Sequence, residues 1–163
     1  MQKAIYLLTL VLAHSLLFAG QHLPDGIYLV DQLVTRTHAA TKPNTALVTF
    51  NPNFVTEDPE NYAPLLLKTA GFFSFAEAGQ MLVQEQKNES STLYLQLTEA
   101  GSKLLTDFTS INQTKKVAVV VNNEVLAVYK ITKPVNGRLI EILKCARQAG
   151  RQVLKPVVAP GKI

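Results

Sequence analysis

The sequence predicts an α+β fold, an antiparallel sheet with helices packed on one face. Three observations lead there. Short apolar runs, alternating or β-branched, are separated by turns containing Asn, Gly and Pro. One stretch in the second half changes to helical period directly after a capping residue. Hydrophobic residues make up 47% of the chain and charged residues 17%, enough apolar material for a core and too little charge for a disordered chain. At 163 residues the chain has the size of one ordinary domain. The expected organisation is a signal segment over residues 1–20, a single α+β domain over 21–155 and a tail over 156–163.

The first twenty residues carry Lys3, an apolar run from Ala4 to Ala13, and small residues at Ala19 and Gly20. That order is the architecture of an export signal. A membrane-spanning helix needs about 20 apolar residues, whereas this run is shorter and is interrupted by His14 and Ser15. Cleavage near Gly20 or Gln21 would place the protein in the periplasm or outside the cell. A retained N-terminal membrane anchor is the alternative. With Cys145 the only cysteine, no internal disulfide is available.

After the signal, Pro24-Asp25-Gly26 turns the chain into a strand at Gly26–Val30, and a second strand follows at Ala46–Phe50. Between Pro59 and Ala70 the helical spacing of Tyr62, Leu65, Leu66 and Thr69 suggests one or two helical turns, kept short by Pro64. Residues 71–86 suit either an extended segment carrying Phe72, Phe73 and Phe75 or a helix over Ala76–Val83. Leu93, Leu95 and Leu97 then alternate as a strand. The period changes at Thr98, which caps a helix over Glu99–Ile111 whose apolar face is Ala100, Leu104, Leu105, Phe108 and Ile111. Val117–Val121 and Glu124–Tyr129 flank Asn122-Asn123, a tight hairpin whose central residues accept positive φ. A strand over Arg138–Leu143 and a helix from Cys145 to Leu154 complete the domain. Leu104, Phe108, Val119, Val121, Leu126 and Val128 are expected in one core.

Residues Leu93 to Ile142 resemble the head subdomain of the first periplasmic domain of the SecD protein-export family, and the likeness extends over about residues 93–154 with the closing helix. The matching features are the helix start Thr98-Glu99-Ala100-Gly101, Phe108 and Thr109 near the helix end, the two-residue turn between two apolar strands, and the turn Asn136-Gly137 before a further strand. The family usually has Gly where this chain has Asn123. The resemblance implies helices on an antiparallel sheet and contact with exported polypeptides or translocation-related partners.

No catalytic set is readable. His22 and His38 lie in polar segments without a patterned partner, no Cys/His cluster has zinc spacing, and the acids Asp25, Asp31, Glu57, Asp58 and Glu60 are too scattered for a calcium loop. No cofactor or metal is expected. Cys145 has Lys144 and Arg147 as neighbours, but it suits a buried junction better than a reactive site. Charge is more informative: residues 130–163 hold eight Lys and Arg against the single acid Glu141, on a chain of net charge +4. Lys144, Arg147, Arg151 and Lys155 are the candidate electrostatic contacts, toward an acidic partner or an anionic membrane surface. Nucleic acid is disfavoured, because no aromatic platform is interleaved with the basic residues. These features favour an exported, non-enzymatic module that binds a protein or polypeptide partner. A small secreted or periplasmic hydrolase with a dispersed site is the alternative.

Overall fold

A computed structural model describes residues 22–34, 42–54, 63–86 and 88–153. The segment expected to be an export signal, His38, the acidic residues Glu57, Asp58 and Glu60, and Lys155 with the residues after it lie outside the described residues. The elements are β1 (Gly26–Leu33), β2 (Thr45–Val48), β3 (Leu65–Lys68), β4 (Phe73–Ser74), α1 (Phe75–Ala78), β5 (Gly79–Glu85), β6 (Ser90–Leu97), α2 (Glu99–Ile111), β7 (Lys116–Val121), β8 (Glu124–Lys130), β9 (Leu139–Ala146) and α3 (Arg147–Val153), with a 3₁₀ turn at Pro52–Phe54. The α+β class holds, but the single sheet divides in two. One sheet has the order β2-β3-β1-β7-β8 with β4 also paired to β1, and the other has the order β5-β6-β9.

The division follows from which faces are apolar. Leu93, Leu95 and Leu97 of β6 share a core cluster with Val117, Val119 and Val121 of β7. The two strands therefore bury their apolar faces against a common interior from different sheets. The opposite face of β7 carries Ala118 and Val120, which join Tyr28, Val48, Leu65 and Leu67 in a second cluster. That cluster sits inside the larger sheet, which curls on itself. The chain leaving β2 crosses to the far edge, where Phe50 bridges Val125 in parallel, the Asn51 N–H donates to the Val125 carbonyl and the Val125 N–H donates to the Thr49 carbonyl, both at 2.9 Å. Tyr28 is fully buried there, its ring stacked on Phe72 at 4.6 Å and its hydroxyl donating to the Pro24 carbonyl at 2.6 Å.

Several expectations are corrected. The Pro59–Ala70 segment contributes strand β3 rather than helical turns, because Leu65–Leu67 are all buried between β1 and β2. The ambiguous stretch resolves into both alternatives in series, strand β4, the single turn α1 and strand β5. Cys145 and Lys144 belong to β9, which runs to Ala146, so the last helix starts at Arg147.

Helix α2 keeps its expected bounds and its cap, with Thr98 Oγ1 accepting the Gly101 N–H at 2.9 Å, but its face is rotated. Gly101, Leu105 and Thr109 are the buried positions, whereas Leu104 and Ile111 are 49% and 78% exposed. Small residues decide this orientation. A Cβ on Gly101 would collide with the Ala78 carbonyl oxygen, so only glycine lets α2 approach α1 so closely. Thr109 is satisfied within the contact, donating to the Leu105 carbonyl at 2.7 Å and accepting the Val135 N–H at 2.9 Å. Val128 is also displaced. A register shift between Val119 and Val120 places an extra residue in β8, so Leu126 faces the first cluster while Val128 packs against the second.

The Asn122-Asn123 turn has positive φ at both central residues, 52° and 65°, as a type I′ hairpin requires. The turn is also a fastening point. Asn123 Oδ1 accepts the Leu23 N–H at 3.0 Å, and the Asn122 N–H donates to Asp25 Oδ1 at 2.8 Å. These bonds tie the entry to β1 onto the β7–β8 hairpin.

Candidate functional site

The change of partner along β1 creates a cleft. Gly26–Leu29 pair with β7, but β7 begins at Lys116, and Val30–Leu33 continue with β3 alone. On the other side of the gap, β8 is bridged by the Phe50 segment at Val125, after which the chain turns away into the Pro52–Phe54 turn. Beyond that point β8 keeps β7 on one edge, and no described strand pairs with its other edge. The space left between these strands is a cavity of about 390 Å³, walled by Val30, Leu33, Phe50, Phe54, Val128 and Leu143. Its charged lining residues are Lys116, at the start of β7, and Lys144, on β9.

A second cavity of about 250 Å³ lies between α2, the end of β8 and the start of β9, lined by Leu105, Phe108, Ile131, Val135 and Ile140 with Lys130, Lys133 and Glu141. Leu126–Val128 and Leu143 border the first cavity, whereas Tyr129 and Ile142 border the second. Tyr129 therefore stands at their junction, its hydroxyl donating to the Ile142 carbonyl. Burial, and next the nearby Glu141 carboxylate, push the Tyr129 phenol up. It stays protonated and serves as a donor.

The structure describes three of the four predicted electrostatic residues, and they stand in different situations. Arg147 is half-buried at the start of α3 and donates from a terminal guanidinium nitrogen to the Gln86 carbonyl at 2.7 Å. Its Nε lies 3.5 Å from Glu85 Oε2, an ion pair rather than a hydrogen bond. Arg151, one turn later, donates from Nε to Glu85 Oε1 at 2.6 Å. The hydrogen bond from Arg151 is the main reason the Glu85 carboxyl titrates below its ordinary range, and the same bond raises Arg151. These two arginines hold α3 on the β5–β6 hairpin. Lys144 is exposed and reaches the first cleft, and Lys155 lies outside the described residues. Sequence reasoning missed Lys116, Leu33 and Phe54; only the turn signal at Asn51-Pro52 hinted that the chain leaves the sheet there.

Acid–base chemistry finds no assembly in the cleft, since its ionisable lining groups are lysines. Burial pushes the Cys145 thiol up, away from the reactive thiolate, despite its basic neighbours in sequence. Among the described residues no group of His, Cys, Asp and Glu is arranged to hold a metal ion. No helix of the described residues is long and apolar enough to cross a membrane.

The described residues thus form an α+β domain of two antiparallel sheets with a cleft between strand edges. No family model and no curated protein matches the chain. Among its structural neighbours are structures of SecDF. One is SecDF in a super-membrane-facing form, with 15% identity, a TM-score of 0.42, and coverage of 78% of this chain and 17% of that one. Another, described as a membrane component that enhances protein export, shows 16% identity, a TM-score of 0.44, and coverage of 86% of this chain and 63% of the other. The chain spans less than two thirds of the length of either.

Proposed function

We propose that this protein is an exported, non-enzymatic module of the cell envelope that holds an extended segment of another polypeptide in the cleft between β1 and β8. One observation carries the reading: the edge of β1 that β7 leaves open at Val30–Leu33 and the edge of β8 away from β7 beyond Val125 have no described partner, and both segments border the same cavity. Strand addition to such an edge supplies main-chain hydrogen bonds that are indifferent to sequence, while alternate side chains enter the pocket. At about 390 Å³ the cavity falls in the size range of ordinary ligand sites. The export signal in residues 1–20 supports the cell envelope as the place of action, where newly exported polypeptides are the available extended chains.

The test is binding of a fluorescently labelled, unfolded exported polypeptide, compared with its folded form. Leu33 is 55% exposed, so Leu33→Asp leaves the fold intact while placing a charge on the cleft wall. The variant is expected to bind at least about tenfold more weakly, a loss of roughly 1.4 kcal/mol. Leu104→Asp and Ile111→Asp, on the outer face of α2, should bind as the parent does. Loss of binding in the helix variants alone would move the binding surface to α2.

A further inference from the structure

We infer that the first cleft selects extended segments in which an acidic residue stands two positions from an apolar one, with Lys116 and Lys144 receiving the carboxylate. This rests on the polypeptide-binding reading and adds the chemistry of the segment to it. The observations are those of charge. The apolar walls, Leu33, Phe54 and Leu143, are joined by two charged residues of one sign, and these come from different sheets, Lys116 from β7 and Lys144 from β9. Both lysines are exposed, and neither has an acidic partner among the described residues.

The acid on the neighbouring strand does not serve them. Asp31 of β1 lies 3.0 Å from Lys42 and 3.8 Å from Lys68, on the far side where β3 pairs. In addition, Lys116 stands directly opposite Lys130 in the β7–β8 register. Like charges facing each other across paired strands are unfavourable, and an arriving carboxylate relieves them. The spacing of the ligand follows from strand geometry. Side chains two apart lie on one face, so an apolar residue lowered into the cleft brings its i+2 neighbour, not its i+1 neighbour, to the lysine rim.

The experiment uses the full mature chain and three labelled peptides of equal length: Val-x-Glu in the centre, the same peptide with Gln for Glu, and an isomer with Glu moved by one position. Their affinities are read by fluorescence anisotropy at low and high salt. The Val-x-Glu peptide should bind about tenfold more tightly than the other two, the scale of two exposed ion pairs. The preference should shrink at high salt, where exposed charges are screened within a few ångströms. It should vanish in Lys116→Gln/Lys144→Gln, which still binds all three peptides and keeps or slightly raises its thermal midpoint, since the charge facing Lys130 is gone. Equal affinity for the three peptides, together with loss of all binding in Leu33→Asp, would overturn the charge selection while leaving the polypeptide-binding reading in place. Absence of binding to any peptide would overturn both. Lysine-dependent capture of vesicles containing phosphatidylglycerol, without discrimination among peptides, would assign the lysines to a membrane surface and overturn the inference.

Discussion

Truncation of adjacent leucines on α2 separates the observed helix orientation from the one that apolar spacing suggests. Leu105 is 2% exposed and belongs to the core cluster that joins the two sheets, whereas Leu104 is 49% exposed. A buried Leu→Ala change costs about 2–5 kcal/mol, more where the surroundings cannot close around the cavity. Collapse is restricted beside Leu105, because Gly101 already brings α2 as close to Ala78 as the backbone allows. Leu105→Ala should therefore fall in the upper half of that range, a large share of a total stability of roughly 5–15 kcal/mol. Leu104 has about half its surface in water already, so its truncation loses at most about 1 kcal/mol of burial, and the helix preference of alanine offsets part of it. Phe108 is half-buried, with its ring 6.2 Å from that of Phe73, and Phe108→Ala should lie between the two. Equilibrium urea denaturation measures all three. With an m-value of roughly 2 kcal/mol/M, Leu105→Ala should lower the midpoint by about 2 M and Leu104→Ala by a few tenths. Equal shifts for the two leucines, or a larger one for Leu104, would refute the orientation.

Asn122→Gly should be neutral or slightly stabilising in thermal melts, since glycine enters positive φ freely. Asn123→Gly, which removes the acceptor for the Leu23 N–H, should be less stable than Asn122→Gly by about 1 kcal/mol. Alkaline unfolding should report Tyr28, whose phenol is pushed up to about 12, first by burial and then by Asp25. The folded protein keeps a proton that the unfolded chain gives up near pH 10, so stability holds below that pH and falls through about pH 12 by on the order of 2 kcal/mol. Tyr28→Phe should flatten that decline in chemical denaturation series. Arg147→Gln should lower the unfolding free energy by about 1–2 kcal/mol, read by urea denaturation, through loss of the bond to the Gln86 carbonyl. Arg151→Gln, on an exposed side chain, should change it far less.

The features legible in the sequence were those written in contiguous residues. Thr98 announced a helix start because its hydroxyl serves an amide three residues on, and Asn122-Asn123 announced a hairpin because both residues tolerate positive φ. Pairing between distant segments has no such local signature. Alternation in Leu93–Leu97 shows that a strand has one apolar face, yet the same alternation fits a neighbour beside β7 and a neighbour across the core from it. Bulges hide more still. The extra residue in β8 reverses the facing of everything after it, so period-two counting joined Leu126 to Val128 although they enter different clusters. Such irregularities also made the candidate site hard to foresee. The cleft exists because β1 changes partner at Val30 and the chain after β2 closes the sheet only at Phe50. Its lining is drawn from six separate stretches of chain, and only Lys144 stood out beforehand, as one charge in a basic segment. Excess charge in that segment divided by use once folded: two arginines fasten α3 to a hairpin through Glu85, and one lysine turns to the cleft beside Lys116. Net charge by itself could not distinguish these roles, because the partner that neutralises Arg147 and Arg151 lies more than sixty residues earlier, on a strand that the sequence left ambiguous.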